Sequence, residues 1–444
     1  MYPTFGDLMK HSSVRTITFV AFSFARGGAG IAAQRFARLA RAKFHVKCIQ
    51  ADRSPVDDLV VRSANRLEYF FHLFLRVISF LLTKLMRDEI PVKHSLNIFS
   101  ARAVLKEIRR SQLRGELLNV HWINNDTLSL WQLARLPSGT VVTLHDEWLY
   151  HGAEHYSFGR KKYTRYVSGY DVEDDELRGL DWNQIVWRIK FRHFKNRHDL
   201  IFTVPSTWML ERAKESKLLA GKDVRLLPNP INTNHFYAFD GMQRAKARQE
   251  LGIEAGVFVI LAGAVKVGEN EVKGFDIFVH ALRLLREQSP HLVDHVRLLI
   301  FGGSTFSLDF MGFSVKSLGF VDGSQLPRIY NAADVCVVPS RVESFGQVAA
   351  ESISCGTPVV CFRTSGLTDI VVEGLSGFLA APFESQALAD RISEVVSLPA
   401  EQMGKLRERC RKYAVEKFSE EVVLDAYSSI VSDAFEIRNS SGLH

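Results

Sequence analysis

Residues 341–379 constrain the fold more than any other part of the sequence. They follow an apolar run, 335–339, that is short and rich in β-branched residues, as buried parallel strands are. A small-residue turn and an alanine-rich helix from about 347 to 355 come next, and 358–362 is typical of a second buried strand. This strand–turn–helix–strand order predicts a doubly wound α/β domain.

The turn before this helix places unpaired backbone N–H groups at the positive end of the helix dipole, which suits an anion such as a diphosphate. These amides belong to Ser344, Phe345, Gly346 and Gln347. Glu343 and Glu351 flank the turn, eight positions apart. Carboxylates accept hydrogen bonds from vicinal hydroxyls, so one could hold a sugar and the other a ribose. A solvent-exposed helix face is the alternative, and the buried strands on either side argue against it.

A second glycine loop opens another α/β unit near the start of the chain. A strand predicted over 14–22 runs into Gly27 and Gly28, followed by a helix over 31–41 and a strand over 44–50. The loop lacks the G-x-G-x-x-G spacing of dinucleotide-binding proteins, so a tight turn without a ligand is an open alternative. A chain of 444 residues is too long for one core, and two such units predict two domains.

His145 follows a strand predicted over 140–144, at the carboxyl end where open α/β sheets place ligands. Asp146, Glu147 and His155 lie close to it in sequence. On these residues alone a functional role and a structural role are both open.

Residues 66–87 are the most apolar stretch of the chain. Arg76 and Lys84 interrupt it, so no uncharged run reaches the length that spans a bilayer. The apolar residues lie nearly all round the predicted helix. Two interpretations stay open: a packing helix buried in the first domain, or an interfacial helix lying on an anionic membrane.

Charge and cysteine content narrow the class of protein. The five cysteines have neither zinc-site nor disulfide-framework spacing, so we expect a cytoplasmic protein without a structural metal. The net charge of +7 suits an anionic ligand or membrane surface. No recognisable nucleic-acid module carries that charge, and we expect no nucleic-acid partner. The N-terminus lacks a charged-then-apolar pattern, so we expect no signal peptide.

Residues 343–359, ESFGQVAAESISCGTPV, resemble the donor-site motif of the family-4 retaining glycosyltransferases nearly position by position. The resemblance extends over essentially the whole chain, with looser matches in the first half. LPNPIN at 227–232 is similar to the family's inter-domain crossing. TLHDEW at 143–148 resembles the branch that builds bacterial exopolysaccharide, colanic-acid and O-antigen repeats, although that branch's later cysteine cluster is absent.

The resemblance implies two facing Rossmann-like domains, the GT-B fold, with the active site in the cleft between them. We expect an acceptor-side domain over 1–235 and a donor-binding domain over 236–417. Residues 418–444 would form a helix that crosses back to the first domain, followed by a short tail. The implied activity is retaining, metal-independent transfer of a sugar, of hexosyl type, from a nucleotide-sugar to a lipid-linked saccharide in cell-surface polysaccharide assembly. No cofactor is implied besides the donor itself.

The resemblance also assigns roles to residues on the donor side. Glu343 would hold the donor sugar and Glu351 the ribose. Lys273, in the sequence KGFD, matches the family's diphosphate-binding lysine. The family's arginine after the strand predicted over 257–262 is missing, and Lys266 is the candidate cation in its place.

Further roles fall on loops around the same ligand. The Gly27–Gly28 loop and the amides of residues 344–347 would approach the diphosphate. Phe320 and Val321 would cover the nucleotide base, and His145 would act on the acceptor side.

Two other functions stay open. The missing arginine allows a non-catalytic nucleotide-binding partner, and the same fold serves phosphorylases and synthases of soluble saccharides. The sequence does not distinguish UDP, GDP and ADP donors. We expect the protein in the cytoplasm, with peripheral contact at the inner face of the plasma membrane through residues 66–87.

Overall fold

The structure is a computed structural model that describes residues 15–56, 61–62, 64–88, 92–156, 164–171, 177–263, 271–303 and 310–441. The strands in these ranges are β1 Thr16–Ala21, β2 His45–Gln50, β3 Val61–Arg62, β4 Met86–Asp88, β5 Leu117–His121, β6 Val141–Thr143, β7 Leu177–Gly179, β8 Ile201–Val204, β9 Asp223–Leu226, β10 Phe258–Gly263, β11 Val296–Phe301, β12 Ser314–Gly319, β13 Val335–Val338, β14 Val359–Phe362 and β15 Gly377–Ala380.

The helices in the same ranges are α1 Gly27–Ala40, α2 Arg66–Thr83, α3 Arg102–Leu113, α4 Leu130–Leu133, α5 Arg165–Ser168, α6 Trp182–Phe194, α7 Thr207–Glu215, α8 Gly241–Glu250, α9 Phe275–Gln288, α10 Leu292–His295, α11 Leu326–Ala332, α12 Gln347–Ser354, α13 Leu367–Ile370, α14 Ser385–Val396, α15 Ala400–Phe418 and α16 Glu420–Ser440. Short 3₁₀ turns lie at Glu147–Leu149 and Glu271–Lys273. None of these helices is long and apolar enough to cross a membrane.

The first sheet has seven strands in the order β3–β2–β1–β5–β6–β8–β9, and every neighbouring pair is parallel. Its central strands are apolar runs because helices cover both faces, and a core cluster lies on each side. The order reverses between β1 and β5, so their carboxyl ends border a crevice where ligands bind in such sheets.

The second sheet has six parallel strands in the order β12–β11–β10–β13–β14–β15. One large core surrounds it and ends at Phe418. Here the order reverses between β10 and β13, which places a second crevice at their carboxyl ends. The predicted fold class, two doubly wound α/β domains, is confirmed.

Helix α2 packs on the first domain with its polar side. The structure buries His72 and Ser79 of this helix, whereas Leu67 is 81% exposed and Phe70 is 62% exposed. His72 Nε2 lies 2.8 Å from the carbonyl oxygen of Asp126, which anchors the helix through a polar contact. The interpretation of residues 66–87 as a buried packing helix is therefore wrong.

The chain passes between the two sheets twice, and the two crossings touch. The backbone N–H of Ile231 donates to the carbonyl oxygen of Phe418 at 2.8 Å, and Ile231 forms a parallel bridge with Ser419. Helix α16 then returns to the first domain, where Tyr427 is fully buried and donates a hydrogen bond to Asn119 Oδ1 at 2.9 Å. The last helix thus completes the core of the first domain.

Candidate active site

Glu343 and Lys273 meet at the crevice of the second sheet. Lys273 Nζ donates to Glu343 Oε1 at 2.6 Å, and Ser340 Oγ donates to the same oxygen at 2.8 Å. The backbone N–H of Glu343 donates to Ser365 Oγ at 2.9 Å. Two contacts therefore orient a partly buried carboxylate and a third holds its backbone, and the structure brings the predicted site residues Lys273 and Glu343 together.

The turn after Glu343 opens helix α12. Gly346 precedes the helix with φ of 105°, a left-handed conformation that favours glycine. No side chain caps this helix start, so its first amides have no side-chain acceptor. Phe345 is buried against Phe418, with ring centroids 5.5 Å apart, and holds the turn in place. The amides of residues 344–347 thus offer fixed donors at the positive end of the helix dipole.

The glycine loop of the first domain lies against this helix start. Gln347 Nε2 donates to the carbonyl oxygen of Gly28 at 3.1 Å, across the two domains. Gly27 has φ of 71°, and a Cβ added at Gly27 or Gly28 would meet no atom within 4 Å. The helix predicted over 31–41 in fact begins at Gly27, so both glycines lie in the first turn of α1, which no side chain caps. This bare helix start faces open space next to α12, where an anion would meet backbone N–H groups from both domains.

Glu351 is buried and has partners on both carboxylate oxygens. Arg35 donates to Oε1 at 2.5 Å from the first domain, and Tyr330 donates to Oε2 at 2.9 Å. The ribose contact expected for Glu351 stays a prediction, and a ribose would have to share or replace these partners. Arg35 is a site residue that its neighbours in sequence do not reveal, because nothing in its surroundings on α1 marks a partner in the second domain.

His145 lies at the carboxyl end of β6 and pairs with the last residue of β5. His121 Nδ1 and His145 Nε2 are 2.9 Å apart, and the rings stack with centroids 5.2 Å apart. Burial lowers the pKa of His145 to about 4 and the pKa of His121 well below its usual value. Both rings are therefore neutral at pH 7. A neutral imidazole can position a hydroxyl or accept a proton, and the predicted acceptor role of His145 stays a prediction.

The loop after His145 is held by buried polar groups. Asp146 accepts hydrogen bonds from Trp122 Nε1 at 2.7 Å and from the backbone N–H of Trp148 at 3.1 Å, and His155 Nδ1 lies at 2.6 Å. Burial opposes its charge, but these partners outweigh burial and lower the pKa of Asp146 to about 2. Asp146 therefore acts as a fixed structural anion.

Buried Lys190 binds the backbone of the same loop, the one that follows His145. Its ammonium group donates to the carbonyl oxygens of Trp148, His151 and Gly152, the last at 2.7 Å. An ammonium has three protons, so this set satisfies it. The contacts make the loop a rigid support for His145.

Tyr156 faces both domains. Burial raises the pKa of its phenol, and the negative charges of Asp146 and Glu343 raise that pKa further. The hydroxyl therefore stays protonated and remains a donor. Its position between a first-domain and a second-domain carboxylate could not be derived from sequence spacing.

Three predicted donor-site residues remain: Phe320, Val321 and Lys266. Phe320 is 85% exposed and Val321 is partly buried, and the expected base contact stays a prediction for both. Lys266 lies outside the described residues. Within the described ranges, no group of three His, Cys, Asp or Glu side chains could hold a metal ion.

Comparison with known proteins finds a family model that matches part of the chain, within the second domain. Residues 244–417 match the family model described as "Glycosyl transferases group 1". The D-inositol 3-phosphate glycosyltransferase of Actinosynnema mirum is 32% identical over 190 residues, which cover 40% of this chain and 44% of that protein. The match therefore spans less than half of this curated relative.

Solved structures match nearly the whole chain. Sucrose-phosphate synthase from Thermosynechococcus elongatus superposes with a TM-score of 0.64 at 21% identity, covering 95% of this chain and 99% of that one. Anabaena HepE in complex with UDP and glucose gives a TM-score of 0.62 at 20% identity, covering 94% and 99%. Both likenesses support the GT-B arrangement of two Rossmann-like domains. The narrower resemblance to exopolysaccharide, colanic-acid and O-antigen enzymes stays a prediction.

Proposed function

We propose that the protein is a group 1 glycosyltransferase that moves a sugar from a nucleotide-sugar to a saccharide acceptor, with retention of configuration and without a metal. One observation carries the proposal: Lys273 and Glu343 are paired beside the uncapped start of α12, opposite the bare Gly27–Gly28 loop. The family model over residues 244–417 and the UDP and glucose bound to Anabaena HepE support it.

The geometry suggests how the cleft would assist departure of the nucleoside diphosphate. Negative charge develops on the diphosphate as the bond to the sugar breaks. Preformed donors aimed at that charge stabilise it, because they do not have to reorganise. Lys273, the α12 amides and the glycine loop supply such donors.

Lys273 and Glu343 would exchange partners when the donor binds. The ammonium group of Lys273 lies 2.6 Å from Glu343 Oε1 and neutralises the carboxylate. A diphosphate would draw Lys273 away, which leaves Glu343 to accept hydrogen bonds from the sugar hydroxyls. Ser340 would keep the carboxylate oriented during this exchange.

The acceptor side would be formed by neutral His145 and the cavity beyond its loop. A cavity of about 840 Å³ has four cations in its wall, Arg76, Lys84, Arg87 and Lys93, which outnumber the two carboxylates there, Asp88 and Asp126. Lys93 Nζ lies 4.1 Å from the centre of the Trp122 ring, and Trp122 donates to Asp146, so the cavity adjoins the His145 loop. These charges favour an acceptor that carries a phosphate or diphosphate.

Two acceptor classes fit that chemistry. Our proposal takes a lipid-linked diphosphate saccharide, used in cell-surface polysaccharide assembly, as the acceptor. A soluble phosphorylated saccharide is the second candidate, because the relative from Actinosynnema mirum is described as acting on D-inositol 3-phosphate. Turnover with a soluble sugar phosphate alone would decide for the second class.

The first test is thermal unfolding with UDP, GDP, ADP and their sugar conjugates. A ligand at about a hundred times its Kd stabilises the folded state by about 2.7 kcal/mol, which gives a readily measured rise in Tm. We expect one nucleotide to give this shift. The Glu343→Gln variant should keep the shift with the free nucleotide and lose the additional shift that the sugar provides.

Glu401→Gln is the matched control, because Glu401 is an exposed carboxylate on α15 whose removal should change neither shift. Release of nucleoside diphosphate is measured next, with wild type and Glu343→Gln. Binding without sugar transfer to any acceptor would favour a non-catalytic nucleotide-binding protein. The absence of a shift with every nucleotide would contradict the donor site.

A further inference from the structure

Helix α2 has its polar and apolar sides exchanged relative to an ordinary surface helix. His72, Arg76 and Ser79 have the spacing of one helix face, and they point at the protein: His72 and Ser79 are buried, and the Arg76 guanidinium lies 4.9 Å from the Phe22 ring centre. The large apolar side chains exposed on this segment are Leu67, Phe70, Phe71, Leu73, Phe74, Val77, Phe80, Leu81 and Leu85.

Such a surface is unusual on a protein that has no partner for it. Phe70, Phe74, Phe80 and Leu81 are each between 58% and 62% exposed. A contiguous apolar patch of this kind marks an interaction site, because leaving it in water is unfavourable. The eighteen residues of α2 measure about 27 Å at about 1.5 Å per residue.

Helix α3 continues the surface with positive charge. The Arg102 guanidinium lies 4.6 Å from the centre of the Phe71 ring, so the two helices share one face. Arg102, Lys106, Arg109 and Arg110 line a shallow groove on α3 together with Leu105 and Leu113. Leu113 is 88% exposed, which adds an apolar side chain among the cations.

We propose that α2 and α3 together form a docking surface for an anionic membrane, with α2 lying in the plane of the headgroup region. Charge complementarity identifies the occupant. Apolar side chains enter the acyl boundary, and the cations of α3 meet anionic headgroups. A second copy of this chain would instead bring these cations against one another.

The inference does not depend on the proposed sugar transfer, since it concerns binding to lipid alone. It would nevertheless explain how a lipid-linked acceptor is reached. Arg76 and Lys84 belong to the α2 segment and also to the wall of the cationic cavity, which therefore opens beside the membrane face.

The test is co-sedimentation of the full chain with vesicles, without nucleotide. We expect binding to vesicles of phosphatidylcholine mixed with phosphatidylglycerol, and little binding to phosphatidylcholine alone. Raising the salt from about 0.1 M to about 1 M shortens the Debye length from about 10 Å to about 3 Å and should weaken binding strongly. Equal binding to both kinds of vesicle would contradict the role of charge.

Two variants separate the apolar and the charged contributions. Phe70→Ser/Phe74→Ser/Phe80→Ser removes exposed rings and should abolish sedimentation, whereas the control Met242→Ser, at a residue 83% exposed on the second domain, should not. Lys106→Ala/Arg109→Ala should weaken binding about tenfold or more, because each cation near an anionic surface contributes substantially. Arg409→Ala/Lys412→Ala, on exposed α15 positions, is the charge control.

Because the altered side chains are solvent-exposed, we expect each variant to fold. Circular dichroism and thermal unfolding check this. Analytical ultracentrifugation without vesicles tests the other occupant. A dimer that the triple serine variant dissociates, with no vesicle binding by the wild type, would overturn the proposal in favour of a self-association face. Vesicle binding that survives both multiple variants would overturn it as well.

Discussion

His121 and His145 share one hydrogen bond at the ends of two neighbouring strands, and burial keeps both rings neutral. A second proton on either ring would place a positive charge in a buried, nearly apolar setting, since His121 is fully buried and also stacks on Phe19. The pair is therefore a neutral element in a cleft that is otherwise rich in charge.

This neutrality predicts a pH-dependent stability. The pKa of His145 falls from 6.5 to about 4 on folding because of burial, so the unfolded chain binds more protons between these values. The contribution to stability is complete above pH 6.5 and is lost as the pH falls towards 4. We expect Tm to drop between pH 7 and pH 5, and His145→Gln to drop less. An equal drop in both proteins would show that His145 does not titrate on unfolding.

Site residues that lie in local motifs are visible in the sequence, whereas those that depend on contacts between the domains are not. Glu343, Lys273 and the glycine loop were found because each lies in a motif whose backbone conformation is local. Arg35 was not found, because its partner Glu351 is 316 positions away and only the packing of the two domains brings them together. The position of Tyr156 between Asp146 and Glu343 also depends on the packing of the two domains, so sequence spacing does not reveal it.

Helix α1 contains two glycines, Gly28 and Gly30, that have different roles: Gly30 permits close packing and Gly28 leaves room for a ligand. A Cβ at Gly30 would lie 2.7 Å from the carbonyl oxygen of Ser23, so Gly30→Ala forces a backbone shift that costs about 1–3 kcal/mol. A Cβ at Gly28 would meet nothing within 4 Å, so Gly28→Ala should fold normally and weaken binding of the nucleotide diphosphate instead. Urea unfolding and nucleotide titration of both variants check this contrast. Unchanged nucleotide affinity in Gly28→Ala would separate the loop from the donor.

The existence of helix α2 can be predicted from the sequence, but its orientation on the first domain cannot. Its polar residues form only a narrow stripe, and periodicity does not say whether that stripe meets the protein or the solvent. The decision comes from polar anchors on other elements, above all the carbonyl oxygen of Asp126 that His72 contacts. The regular strands were easier to predict, because short β-branched runs between turns have few alternatives.

At the scale of the whole molecule, the Arg35–Glu351 pair joins the two domains. Its side chains are 14% and 6% exposed, and removing one partner of a buried pair leaves an uncompensated charge. We expect Arg35→Ala to lower the free energy of unfolding by about 3–5 kcal/mol. Urea unfolding measures it.

A matched control is available shortly after the same helix, α1, which ends at Ala40. Lys43→Ala breaks the exposed pair with Asp425, which should cost less than about 1 kcal/mol. An Arg35→Ala/Glu351→Gln double variant should recover part of the loss, because the buried charge is then gone. Equal losses in Arg35→Ala and Lys43→Ala would mean that the inter-domain pair is open to solvent.

Helix α16 makes the stability of the first domain depend on the far end of the sequence. Tyr427 is fully buried between β5 and α1, so Tyr427→Ala should cost about 3–5 kcal/mol. Tyr427→Phe removes the hydrogen bond to Asn119 alone and should cost about 1 kcal/mol. Hydrogen exchange should report the loss in β1 and β5. A loss confined to α15 and the second sheet would contradict this assignment.

The return of α16 also reverses the order in which the domains can be completed during synthesis. The core of the second domain ends at Phe418, whereas the core of the first requires Tyr427 and Val431. Domains usually fold as they emerge from the ribosome, N-terminal first. Here the first domain is translated first but its core is completed last. The surface that α16 covers on the first domain therefore stays exposed until residues 420–440 have been synthesised.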